Sequence, residues 1–97
     1  MNARGWDELD VHLCESLYRS GNATKPHFEY PHDTSIIPGE PCPPVAGAIT
    51  AIAAYDGDAF PPEYRRGAFF ADYINQCIYF APPDARGRPD TSQLRVF

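Results

Sequence analysis

No apolar run in this 97-residue chain approaches the ~20 residues that cross a bilayer, so no membrane-spanning helix is expected. The opening residues, MNARGWDELD, lack the apolar core of an export signal, and none is visible. Positive charge is scarce. Eight Lys and Arg stand against thirteen Asp and Glu, a formal net charge of −5. That balance argues against binding nucleic acid or an anionic membrane surface through bulk electrostatics. Long helices are excluded as well, because eleven prolines and seven glycines interrupt the chain every few residues. No C-x-x-C, Walker loop or G-x-G-x-x-G occurs, and Ser16, Ser20, Ser35 and Ser92 lack a nucleophile-elbow context. The three cysteines, Cys14, Cys42 and Cys77, leave at least one without a partner inside the chain. A free thiol and a missing partner both stay open, and the odd count raises the expectation of an incomplete chain.

What remains is one small domain at most. Aromatics make up 13% of the residues, a composition that suits short strands better than a helical bundle. Trp6, Leu9, Leu13 and Leu17 fall at roughly helical spacing, with Asp7, Glu8 and Asp10 near a helix start and Gly21-Asn22 at its end. A short helix is expected over Leu9 to Arg19. Residues 21–47 read as a proline-rich connector, with at most a short extended piece from His27 to Tyr30.

From Ala46 the pattern changes. Ala48 to Tyr55 is a run of small and β-branched residues that suits a buried strand. Asp56-Gly57-Asp58 signals a turn, and Phe60 to Tyr64 a rigid loop. Ala68 to Tyr73 and Cys77 to Phe80 form a hairpin, and Gln93 to Phe97 a last short strand. The chain therefore divides into residues 1–45, a short helix and Pro-rich connector, and residues 46–97, a four-stranded antiparallel meander. Such a sheet has two apolar faces and little of its own to cover them, which is how each blade of a β-propeller is placed between its neighbours.

Five segments carry a resemblance: Cys14 to Tyr18, Pro38 to Pro43, Ile49 to Tyr55, Pro61 to Tyr64 and Phe69 to Ile78. In this order the chain resembles a bacterial branch of the glucose/sorbosone dehydrogenase-like six-bladed propellers, relatives of soluble pyrroloquinoline-quinone (PQQ) sugar dehydrogenases. The resemblance implies a mainly β chain forming a single propeller blade after a short helix and a Pro-rich loop. It implies a parent oxidoreductase that oxidises a sugar with PQQ and calcium, while this chain alone holds no cofactor and is not itself catalytic. The partners implied are the remaining blades, or self-association through strand edges, and a carbohydrate; nucleic acid and membrane are not among them. The parent would be secreted or periplasmic. The alternative is a non-catalytic carbohydrate- or protein-binding propeller segment. Two departures stand out: Arg66 where the family often has Gly, and Ala54 where it usually has Phe. The family's catalytic histidine lies in other blades, so no catalytic role passes to His12, His27 or His32.

Asp72 precedes the hairpin turn and could be a general base or a metal ligand. The reading taken is structural, with Asp72 and Asn75 bracing the turn through hydrogen bonds to backbone N–H groups. Asp56 and Asp58 with Glu63 make an incomplete calcium pattern and read as an ordinary turn. His27 and His32, near Glu29 and Asp33, lack zinc spacing and read as surface histidines. Arg65, Arg66, Arg86, Arg88 and Arg95 could meet an anion at one edge but read as a solvated surface. Cys14 and Cys42, both in the loop-rich half and both within the resemblance, are the expected disulfide, with Cys77 the orphan.

Overall fold

The computed structural model describes residues 12–43 and 47–97. Helix α1 spans His12–Ser20. Trp6, Leu9 and the acidic first turn lie outside the described residues. Glu15 and Arg19 pair at 3.7 Å across one turn, and Gly21 ends the helix at φ 65°, a left-handed conformation that glycine adopts without steric cost. Leu13, Leu17 and Tyr18 are exposed, so α1 buries no apolar side chain.

The rest is mainly β. Strands β1 (Ile49–Ala54), β2 (Ala68–Asp72), β3 (Cys77–Ala81) and β4 (Arg95–Val96) form one antiparallel sheet in the order β1-β2-β3-β4. The register pairs Phe70 with Tyr79 and Asp72 with Cys77, and β1 slips by one residue between Ile49 and Ala51. Alternation decides the faces. Ala68, Phe70 and Asp72 share one face of β2 and are all buried, as period-two geometry requires.

Each face of the central hairpin has its own cover. On the Phe70 face the connector returns across the sheet, and Phe28, Tyr30, Ile36, Ile37 and Cys42 pack against Phe70 and Tyr79. The residues from His27 to Tyr30 form no strand there; Phe28 and Tyr30 meet the Phe70 ring at 6.0 and 6.5 Å. On the opposite face Phe69 and Phe80 pack with tilted rings, centroids 4.9 Å apart, beneath Tyr64, Phe60 and Phe97. Arg95 lays its guanidinium over the Phe80 and Tyr64 rings at 5.1 and 5.6 Å, a contact worth about 0.5–1 kcal/mol at an exposed site. The expectation of two bare faces is thus corrected for β2 and β3, where Tyr79 and Phe80 are fully buried on opposite sides.

It holds for β1 and, at the turn end of β3, for Ile78, which is 44% exposed. All six residues of β1 are exposed, Ile52 at 78% and Ile49 at 55%, although Thr50 is its one polar residue. β1 is also an edge strand, hydrogen-bonded on one side only.

Candidate functional site

Asp72 ends β2 and is 1% exposed. Its Oδ1 accepts from the backbone N–H groups of Asn75 at 3.0 Å, Ile74 at 3.1 Å and Ala48 at 3.2 Å. Its Oδ2 accepts from the Tyr30 hydroxyl at 2.5 Å and the Asn75 side-chain amide at 3.1 Å. One carboxylate therefore joins three segments: the β2–β3 turn, the entry to β1, and the connector. Gly47 permits this approach. A Cβ there would stand 3.1 Å from the Tyr30 ring and 3.6 Å from Asp72 Oδ2.

Burial alone pushes the Asp72 carboxyl up. The N–H of Asn75, the Tyr30 hydroxyl and the N–H groups of Ala48 and Ile74 outweigh it and hold the group below its ordinary value. Five donors fill the lone pairs of a carboxylate, so Asp72 has no free lone pair for a metal and too little basicity to take a proton from substrate. Tyr30 and Tyr79 are held protonated, their hydroxyls pushed up first by burial and then by Asp72 and Glu40 respectively. The Tyr79 hydroxyl faces Glu40 without a well-formed hydrogen bond, while Glu40 Oε1 accepts from Ile36 N–H at 2.7 Å and holds the turn above it.

This arrangement predicts a pH dependence. Because the native Asp72 value is depressed, the unfolded chain binds the proton more readily, and stability rises with pH through that range. The contribution is complete above the ordinary value of 3.8 and is lost as pH falls through the lower native value. Acid titration followed by the Tyr30 and Tyr79 ring signals should show the connector releasing below pH 3.8, with no change between pH 5 and 8.

The cysteine expectation is corrected. Cys42 bonds to Cys77, not Cys14, with Cα atoms 6.0 Å apart. The reason is the register: Cys77 lies opposite Asp72, and the connector that Tyr30 anchors on Asp72 brings Cys42 over the same face. Cys14 is a free thiol on α1.

The other sequence candidates do not converge. His27 Nε2 lies 2.7 Å from the Pro89 carbonyl oxygen and ties the connector to the 82–90 loop, while His32 lies near Gly47. The 56–66 loop is organised by Tyr55, whose hydroxyl accepts from Phe60 N–H at 2.9 Å. Ser92 donates to Asp90 at 2.6 Å and Ser20 to the Leu17 carbonyl at 2.9 Å, both local caps. Among the described residues no three His, Cys, Asp or Glu side chains gather to hold a metal. Asp72, saturated by these donors, is not available to a calcium ion. Between His27, Phe28 and β1 lies an apolar hollow of about 230 Å³ bordered by Ile49, Ile52 and Phe70.

Comparison with family models, with curated proteins and with solved structures finds no match. Among the described residues no helix is long and apolar enough to cross a membrane. Tyr30 and Gly47, which close over Asp72, and Glu40, which faces Tyr79, carry no motif in the sequence. The alternation of Phe28 and Tyr30 in an otherwise polar stretch was their one local signal.

Proposed function

We propose that the chain is one blade, with its preceding connector, of a glucose/sorbosone dehydrogenase-like propeller whose parent oxidises a sugar with a quinone cofactor outside the cytoplasm. The observation that carries this reading is β1, an apolar edge strand exposed on both faces beside a hairpin whose Phe70, Tyr79 and Phe80 are buried. An isolated domain has no use for such a strand; a blade buries its faces against the next two. The order of the four strands and the five resembling segments support the same reading, and the Cys42–Cys77 bond suits an oxidising compartment. This chain contributes architecture rather than chemistry. A propeller site forms where several blades converge, and the acid best placed to react is committed to hydrogen bonds.

The parent protein loaded with PQQ and calcium should reduce an acceptor dye when given an aldose, and this chain treated alike should not. Turnover by the isolated chain would refute the blade reading. A loaded parent inert towards a panel of aldoses would leave the non-catalytic, carbohydrate- or protein-binding propeller in its place.

A further inference from the structure

The two edges of the sheet are unlike. β4 is two residues long and presents Arg95, whose guanidinium lies over the Tyr64 and Phe80 rings, and the Phe97 N–H that follows is bonded back to the Ile78 carbonyl at 2.8 Å. A very short edge strand with a charged side chain keeps a sheet from growing at that side. β1 has neither guard. Its six residues carry no charge and no proline, and all are exposed. The single slip in its register lies between Ile49 and Ala51, which leaves Ala51 to Ala54 in unbroken pairing with β2.

Hydrogen bonding fixes which backbone groups of β1 are open. Tyr55 N–H donates to the Gly67 carbonyl at 3.0 Å, so Tyr55 and, two residues back, Ala53 turn their backbone groups towards β2. Ile52 and Ala54 turn theirs outward, where the sheet offers no further strand among the described residues. Side chains alternate as well. Ile52 lies opposite Phe70 and Ile49 opposite Asp72, on the connector's side of the sheet, where the 230 Å³ hollow beside Phe28 runs up to both isoleucines. Ala53, opposite Phe69, leaves the other face small. A strand that adds here must be uncharged, apolar on the Phe28 side and small on the other. β1 of a second copy has that pattern. Antiparallel pairing about a two-fold axis at Ile52 sets Ile52 against Ile52 of the second copy, joins their outward backbone groups, and keeps both Phe28 hollows on one side of the sheet. Each copy has a net charge of −5, and β1 lets two copies meet through a strand that contributes none of it.

We propose that β1 is a self-pairing edge, through which two copies of this chain join β1 to β1 in one continuous antiparallel sheet. Because β4 is blunted, the pairing closes at two copies and does not run on into a filament. It concerns the edge of the sheet and stands apart from the blade reading, which concerns its faces. The test is sedimentation equilibrium of the oxidised chain, joined to amide hydrogen exchange over a dilution series. The mass should rise from one copy to two and no further, and sodium chloride, which screens the like net charges, should favour the pair. Protection at the Ile52 and Ala54 amides should appear with the dimer and vanish on dilution, while the Ala53 amide stays protected throughout. Ile52→Lys sets like charges against each other at the axis and should weaken the pair at least about tenfold. The Ile52 side chain is exposed, so protection at Phe70 and Tyr79 should not change in that variant. Ala54→Pro removes an outward N–H that β2 does not use and should weaken the pair as well. A monomer at every concentration, assemblies that grow past two, or a dimer indifferent to Ile52→Lys with Ile52 and Ala54 unprotected would overturn the proposal. Dye reduction by the loaded parent tests the blade reading separately, and neither result decides the other.

Discussion

Reduction of the Cys42–Cys77 bond is expected to release the connector from the sheet while leaving the β2–β3 hairpin paired. The bond closes 35 residues of chain, and loop entropy assigns such a crosslink about 4 kcal/mol. Few other contacts hold residues 28–42 in place: the Tyr30–Asp72 hydrogen bond, the aromatic contacts of Phe28 and Tyr30 with Phe70, and Ile36 and Ile37 packed on the same core. Removing the crosslink therefore takes away the largest single restraint on the connector. Cys77→Ser, or dithiothreitol on the unaltered chain, should raise amide exchange at Ile36 and Glu40, whose N–H groups are hydrogen-bonded within the connector, by two to three orders of magnitude, on the order of the energy lost. Cys14→Ser is the control and should change nothing, since Cys14 lies on an exposed helix without a disulfide partner. Non-reduced peptide mapping should yield a 42–77 crosslink. A 14–42 crosslink would contradict the register argument directly.

Asp72→Ala should be the most damaging point substitution in the sheet. It deletes the acceptor for three backbone N–H groups, one phenol and one side-chain amide, in a place where water has little access. Each buried donor left unpaired costs about 1–3 kcal/mol, though relaxation and entering water recover part of the sum, so a loss of about 3–5 kcal/mol is expected. Asp72→Asn should cost less, about 2 kcal/mol, because one oxygen remains while the new NH2 faces the donors of Tyr30 or Asn75. Tyr30→Phe removes a single charge-assisted bond and should cost about 1.5–3 kcal/mol, affecting the connector and not the turn. Exchange rates at Ile74 and Asn75 separate the three. An Asp72→Ala chain with unchanged protection there would show that the turn is held by something else.

The central hairpin was legible in the sequence because two independent signals agree. Ala68 to Tyr73 and Cys77 to Phe80 are short apolar runs of strand length, rich in aromatics, and Asp72 and Asn75 mark a polar break of turn-forming length between them. The structure places both side chains in the turn. β1 was legible as a strand, but not as an exposed one: a run of Ile, Thr and Ala looks the same whether its cover lies in the chain or outside it. The disulfide was misassigned because sequence proximity to loops says nothing about which face a cysteine reaches. That depends on the pairing of Cys77 with Asp72 and on the connector's return path, both set by contacts more than thirty residues apart. Proline density suits the lack of strands in residues 21–43, yet hid that Phe28, Tyr30, Ile36 and Ile37 pack against the Phe70–Tyr79 core. Arg66 takes a φ of 62°, a left-handed conformation that an arginine does not announce in the sequence.

The central claim is that this sheet is built to be completed on the β1 side. Sedimentation velocity combined with a thermal unfolding scan of the oxidised 97-residue chain tests it most directly. The account predicts concentration-dependent association, or a broad transition in which β1 melts before the disulfide-tied hairpin. A monomer that unfolds in one sharp two-state step, with β1 as protected as β3, would contradict it.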